Sequence, residues 1–133
     1  RNWSHATVIC SIGLNGPTAT GILTVHAIDK LPTAAAHGPI AFRYYRYETS
    51  QLVANGDLKG ALTWATTAGI TPIATTTPAM YVIELDAEEL PQGYMGFLIG
   101  YANPAAVCVS SVIAVLTGAR YADSVKTAAP LYS

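Results

Sequence analysis

A chain of 133 residues with a formal net charge of −1 has the size of one domain, and 51% of it is hydrophobic against only 11% charged. An ordinary domain carries about 25% charged residues, so the balance excludes disorder, which needs low hydrophobicity and high net charge. No basic run exceeds Arg43-Tyr-Tyr-Arg46 and no apolar stretch reaches a membrane-spanning length, so neither nucleic-acid binding nor a membrane span is expected.

Residues 5–14 place Ala6, Val8, Cys10, Ile12 and Leu14 on one parity and His5, Thr7 and Ser11 on the other, the period-2 mark of a half-buried strand. Asn15-Gly16-Pro17 then supplies turn residues. A second strand is predicted over residues 20–29, with Leu23, Val25 and Ala27 on one face and Thr24 and His26 on the other. Residues 30–39 hold two prolines and a glycine and read as a loop, and residues 40–49 form an aromatic-rich strand. Between 50 and 79 periodicity fades, with a short strand or one helical turn near Leu58 to Trp64, and Pro72 and Pro78 argue against a long helix.

From Met80 to Asp86 the alternation returns, Tyr81, Ile83 and Leu85 against Val82 and Glu84. After the acidic stretch Asp86-Ala-Glu-Glu89 come two runs, 94–101 and 105–117, that are apolar on both parities. Strands of that kind are expected to have both faces covered, by this chain or another. The pattern predicts an all-β fold, a single β-sandwich or jelly roll of about six to eight strands spanning 1–133, with 118–133 as an extended C-terminal arm. The opening Arg1-Asn2-Trp3-Ser4 does not begin a secretory signal, and none is expected.

Chemistry is not announced. The two cysteines, Cys10 and Cys108, sit in apolar strand-like runs and read as buried, unpaired thiols, with a bridge between the first and last strands as the alternative. His5, His26 and His37 lack metal-ligand spacing and read as solvated or partner-facing. Asp86, Glu88 and Glu89 form the one carboxylate cluster, without the alternation or glycine of a calcium loop, and read as a solvated turn. No phosphate-binding, dinucleotide-binding or nucleophile motif is present. The expectation is therefore a protein that is not an enzyme, with no catalytic residues, no metal and no cofactor.

Two local clusters stand out. Leu90-Pro-Gln-Gly-Tyr94 has the form of a tyrosine corner, a turn ending in a tyrosine whose ring packs on the core, so Leu90 and Tyr94 are read as fold-specifying and largely buried. Arg43-Tyr44-Tyr45-Arg46-Tyr47 interleaves basic and aromatic residues, with Arg43, Tyr45 and Tyr47 sharing one parity, and points to a protein interface. Trp3 near one end, and Tyr121, Leu131 and Tyr132 near the other, are further interface candidates, as aromatic and aliphatic anchors on otherwise weakly apolar segments.

Met80-Tyr-Val-Ile-Glu-Leu-Asp-Ala-Glu-Glu-Leu-Pro-Gln-Gly-Tyr94, Leu98-Ile-Gly-Tyr-Ala-Asn-Pro-Ala-Ala-Val107 and Val115-Leu-Thr-Gly-Ala-Arg-Tyr121 together resemble the cement or decoration proteins of tailed-bacteriophage heads. The resemblance covers about half the chain and rests on a strand pattern, an acidic turn and an Arg-Tyr-Ala end. It implies a capsid-stabilising domain on the outer surface of the virion. The implied partners are the major capsid protein, whose neighbouring subunits it would bridge, and adjacent copies of itself. The rival readings are a carbohydrate-binding sandwich using Trp3, Trp64 or the Tyr44–Tyr47 cluster, and a self-assembling shell protein.

Overall fold

The computed structural model describes residues 3–13, 21–29, 36–48, 58–72, 79–102 and 110–119. Its strands are β1 (Trp3–Ile12), β2 (Leu23–Ile28), β3 (Ala36–Ile40), β4 (Phe42–Glu48), β5 (Leu58–Lys59), β6 (Thr63–Ala65), β7 (Ala79–Asp86), β8 (Gly96–Tyr101) and β9 (Ser110–Ala119). The only other described element is one 3-10 turn, Ala87–Glu89. One antiparallel sheet runs β5-β4-β7-β1-β9, with β6 also on β4; the other runs β3-β2-β8. The protein is an all-β sandwich of two antiparallel sheets.

Period-2 alternation places the core. From β1, Ala6, Val8, Cys10 and Ile12 are buried, and opposite them in register lie Leu85, Ile83, Tyr81 and Ala79 of β7. Phe42 and Tyr44 extend this inner face onto β4, with rings stepping from Phe42 to Tyr44 to Tyr81 at centroid separations of 6.1 and 6.0 Å. Leu23, Val25 and Ala27 of β2 close it from the second sheet, and Phe97 and Ile99 of β8 pack against it half-buried.

Ala36–Ile40, read as loop, is a strand. Among the described residues it pairs only with β2, at the sheet edge, where Pro39 opposite His26 removes no ladder donor that a central strand would need. Of the weakly periodic middle, the described residues include two very short strands, both on β4. The two sheets are tied at one corner by a bridge in which Leu23 N donates to Ile70 O (2.8 Å) and Ile70 N to Leu23 O (3.0 Å).

Leu90 and Tyr94 are half-buried and line the opening of the sandwich. Tyr94 also lies before β8, its N–H closing a turn onto Pro91 O at 3.1 Å. The strands that are apolar on both parities call for cover from this chain or another. Leu98 of β8 is exposed, and every residue of β9 is exposed, so no described residue supplies the expected cover. The end of β9 also takes in Gly118 and Ala119, so the strand reaches into the segment read as an arm; residues 120–133 lie outside the described ones.

Cys10 is a free thiol, and burial pushes its pKa up to about 11. A thiolate is the reactive form, so at pH 7.5 Cys10 in the native protein is expected to resist a thiol reagent and to label fully once unfolded. Mass spectrometry after alkylation checks this, and rapid native labelling of Cys10 would contradict it. Cys108 lies outside the described residues.

Candidate functional site

Two features stand apart from the core: a charged cluster on the outer face of the large sheet, and the edge at β9.

The cluster forms because β1, β7 and β4 are neighbours, so the outward parities of three distant segments meet. His5 lies opposite Asp86, Thr7 opposite Glu84, and Glu84 is also opposite Arg43. His5 Nδ1 is 2.6 Å from Asp86 Oδ1, and its Nε2 is 2.8 Å from Glu84 Oε2. The Thr7 hydroxyl donates to the same Glu84 oxygen at 2.8 Å. Arg43 Nη2 donates to Asp86 Oδ2 and lies 3.1 Å from Glu89 Oε1. Glu89 is held in turn, since its Oε2 accepts the Asp86 N–H at 3.0 Å across the 3-10 turn. The Arg43 guanidinium stands 5.6 Å from the ring centroid of Trp64, its cross-strand partner on β6.

The electrostatics follow from these contacts. The hydrogen bond to Asp86, then that to Glu84, raise the His5 pKa above its ordinary value, while partial burial opposes them. The same bond from His5, with Arg43 next, holds the Asp86 carboxyl below its ordinary range. A carboxylate at each ring nitrogen favours the imidazolium, which can donate to both. Among the described residues no group of His, Cys, Asp or Glu is arranged to hold a metal ion. The cluster is an ion network that ties three strands together.

Its pH dependence has two limbs. Because the His5 pKa is raised on folding, its contribution is complete below about pH 6.5 and is lost as pH rises through the folded value. Because the Asp86 pKa is lowered, its contribution is present above the usual carboxylate range and is lost as pH falls through the depressed value. Thermal stability is therefore expected to be greatest at roughly pH 5–6. His5→Gln should cost about 1 kcal/mol there, a value reduced by partial exposure, and less at pH 8. Melting curves across pH check this; equal costs at both pH values would show that His5 is not charged in the folded state.

The interface candidates fall in different places. Arg43, Tyr45 and Tyr47 share the outer face, as their parity requires, but Arg43 is committed to the ion network. Tyr44 points into the core, which removes it from any sugar platform, whereas Trp64 on the outer face is 62% exposed. Trp3 is half-buried at the start of β1, opposite Ala119. Tyr121, Leu131 and Tyr132 lie outside the described residues. Of the acidic cluster, Asp86 and Glu89 belong to the network and Glu88 is exposed. His26 lies 3.0 Å from the Thr24 hydroxyl, and the His37 side chain is outside the described ones.

At β9 the larger sheet overhangs the smaller. Register with Ala6, Val8 and Cys10 puts Leu116, Ala114 and Val112 on the inner face, where they line an open cavity of about 560 Å³. Across the cavity stand Phe97 and Ile99 of β8, with Leu90 and Tyr94 among the residues lining it. The outer face of β9 carries Ile113 and Val115, aligned with Ile9 and Thr7. Val112 is 53% and Ile113 60% exposed, so both faces present aliphatic surface to water.

The fold and these features define an antiparallel β-sandwich with an uncovered apolar edge and no assembled catalytic group among the described residues. No family model, curated protein or solved structure matches the chain.

Proposed function

We propose that the protein is a non-enzymatic structural component of a tailed-phage head. In this role it binds the outer surface of the shell and bridges neighbouring major capsid subunits. The observation that supports a docking role is β9, a ten-residue strand without a charged side chain whose two faces are both exposed. A free-living domain normally blunts such an edge with lysine, proline or a bulge. The assignment to a phage head draws on the sequence resemblance, and low surface charge suits it: a domain packed repeatedly over a shell gains affinity from many weak contacts rather than from one charged site.

Co-sedimentation with heads assembled from the major capsid protein of the same source tests the reading. Saturable binding to heads, with none to a glycan array, is the expected result. Glycan binding by the isolated domain that is lost in Trp64→Ala would replace it with the carbohydrate reading, which the exposed Trp64 favours. Shells formed by this protein without any other would make it a shell protein in its own right.

A further inference from the structure

We infer that β9 is a homodimerisation strand that pairs antiparallel with β9 of a second copy about a two-fold axis at Ala114. Both sheets would then join in one continuous sheet through the axis. The inference stands on the free edge and its sequence, and it does not depend on the phage-head role.

Among the described residues β9 is the last strand of its sheet, so one side of its backbone has no strand beside it. It carries no proline and no ionisable side chain, and its pairing with β1 is continuous from His5↔Thr117 to Ile12↔Ser110, the one interruption lying at Gly118, whose φ is +65°. Such an edge is a template for another strand. Its sequence says which strand fits. Read outward from Ala114 in both directions, Ser110-Ser-Val-Ile-Ala-Val-Leu-Thr-Gly118 has the same character: two aliphatic residues, then a hydroxyl residue, then a small one. A strand with that symmetry is complementary to itself when reversed, which is the requirement of an isologous two-fold contact.

The register follows from symmetry. A two-fold axis that sets strands antiparallel in one sheet stands perpendicular to that sheet, so inner faces stay with inner faces. Centred on Ala114, it places Val112 of one copy opposite Leu116 of the other, both on the cavity side. It places Ile113 opposite Val115 on the outer side and Ser111 opposite Thr117. Every aliphatic residue meets an aliphatic one and every hydroxyl a hydroxyl, and no like charges meet because the strand has none. The same operation puts the two open cavities on one side of the joined sheet, flanking the axis as a single apolar trough. A foreign strand would need neither the symmetry nor the absence of charge.

Sedimentation velocity of the full chain over a concentration series, with melting curves alongside, tests the proposal. The expected wild-type result is a concentration-dependent dimer. Val115→Lys, on the outer face and already exposed, should weaken dimerisation at least tenfold while leaving the melting temperature of the monomer within a few degrees. Adding Ile113→Glu to it sets opposite charges across the axis twice and should recover dimer. Ala114→Cys in a Cys108→Ser background should cross-link to its own copy under mild oxidation, since directly opposed antiparallel residues lie within disulfide reach. Ser110→Cys in the same background should not. A wild-type chain that stays monomeric at high concentration overturns the proposal. So does a dimer indifferent to Val115→Lys, or one that cross-links equally through both cysteine variants.

Discussion

Phe42→Ala is expected to cost about 3–5 kcal/mol, the range for deleting a buried aromatic ring and leaving its space unfilled. Phe42 is 0% exposed. It opens β4, pairs with Ala65 of β6 and begins the row of rings that continues through Tyr44 to Tyr81. With a small residue as its cross-strand neighbour, little nearby can move in to fill the gap. A domain of this size has a total stability of about 5–15 kcal/mol, so the variant should stand near its unfolding threshold. Urea denaturation reads this as a fall in midpoint at unchanged slope. A loss below about 1 kcal/mol would mean that the ring is not part of the packed core.

Gly69→Ala should be nearly as damaging for a different reason. Gly69 has φ of +78°, and a Cβ there would stand 2.4 Å from the Leu23 carbonyl oxygen. That oxygen accepts the Ile70 N–H, half of the bridge joining β2 to the segment after β6. Conformational strain of about 1–3 kcal/mol adds to about 1 kcal/mol for each bridge bond that opens. The expected loss is therefore about 3 kcal/mol in chemical denaturation. Gly38→Ala is the control: nothing lies within 4 Å of its Cβ and its φ is not positive, so stability should hold or rise slightly. If the two variants lost the same amount, the corner would not be what Gly69 supports.

Much of this core can be read from alternation alone. Ala6, Val8, Cys10 and Ile12, and Tyr81, Ile83 and Leu85, alternate because β1 and β7 each turn one face to the core, which is the condition under which parity reports burial. The strand at Ala36–Ile40 escapes detection because its proline and glycine are loop residues everywhere except at a sheet edge. β5 and β6, at two and three residues, are too short to show a period. The exposure of β9 is also hidden, since a strand apolar on both parities looks the same whether it is covered or left open. The ion network is the largest omission. Parity puts His5, Thr7, Arg43, Glu84 and Asp86 on outward faces, but it does not say which strands are neighbours, and His5 and Asp86 lie 81 positions apart. The available signal was scarcity. In a chain with few charges, a histidine, an arginine and several carboxylates at outward strand positions are candidates for one another.

The strand order also has a consequence for how the protein comes into being. β1, synthesised before the other strands described, is flanked by β7 and β9, and its opening residue Trp3 pairs with Ala119. Neither neighbour exists until most of the chain has been synthesised, so the large sheet cannot assemble progressively from its N-terminal end. Closing such distant pairs carries an entropic cost before any contact rewards it, which places the domain among slow folders, on the millisecond-to-second scale. During that interval the apolar parity of β1 is held only by transient contacts. Truncation before Ser110 would remove the strand that completes its pairing on one side. Nascent chains stalled at that point should be bound by chaperones and cleaved by proteases, whereas chains extended past Ala119 become resistant in a single step.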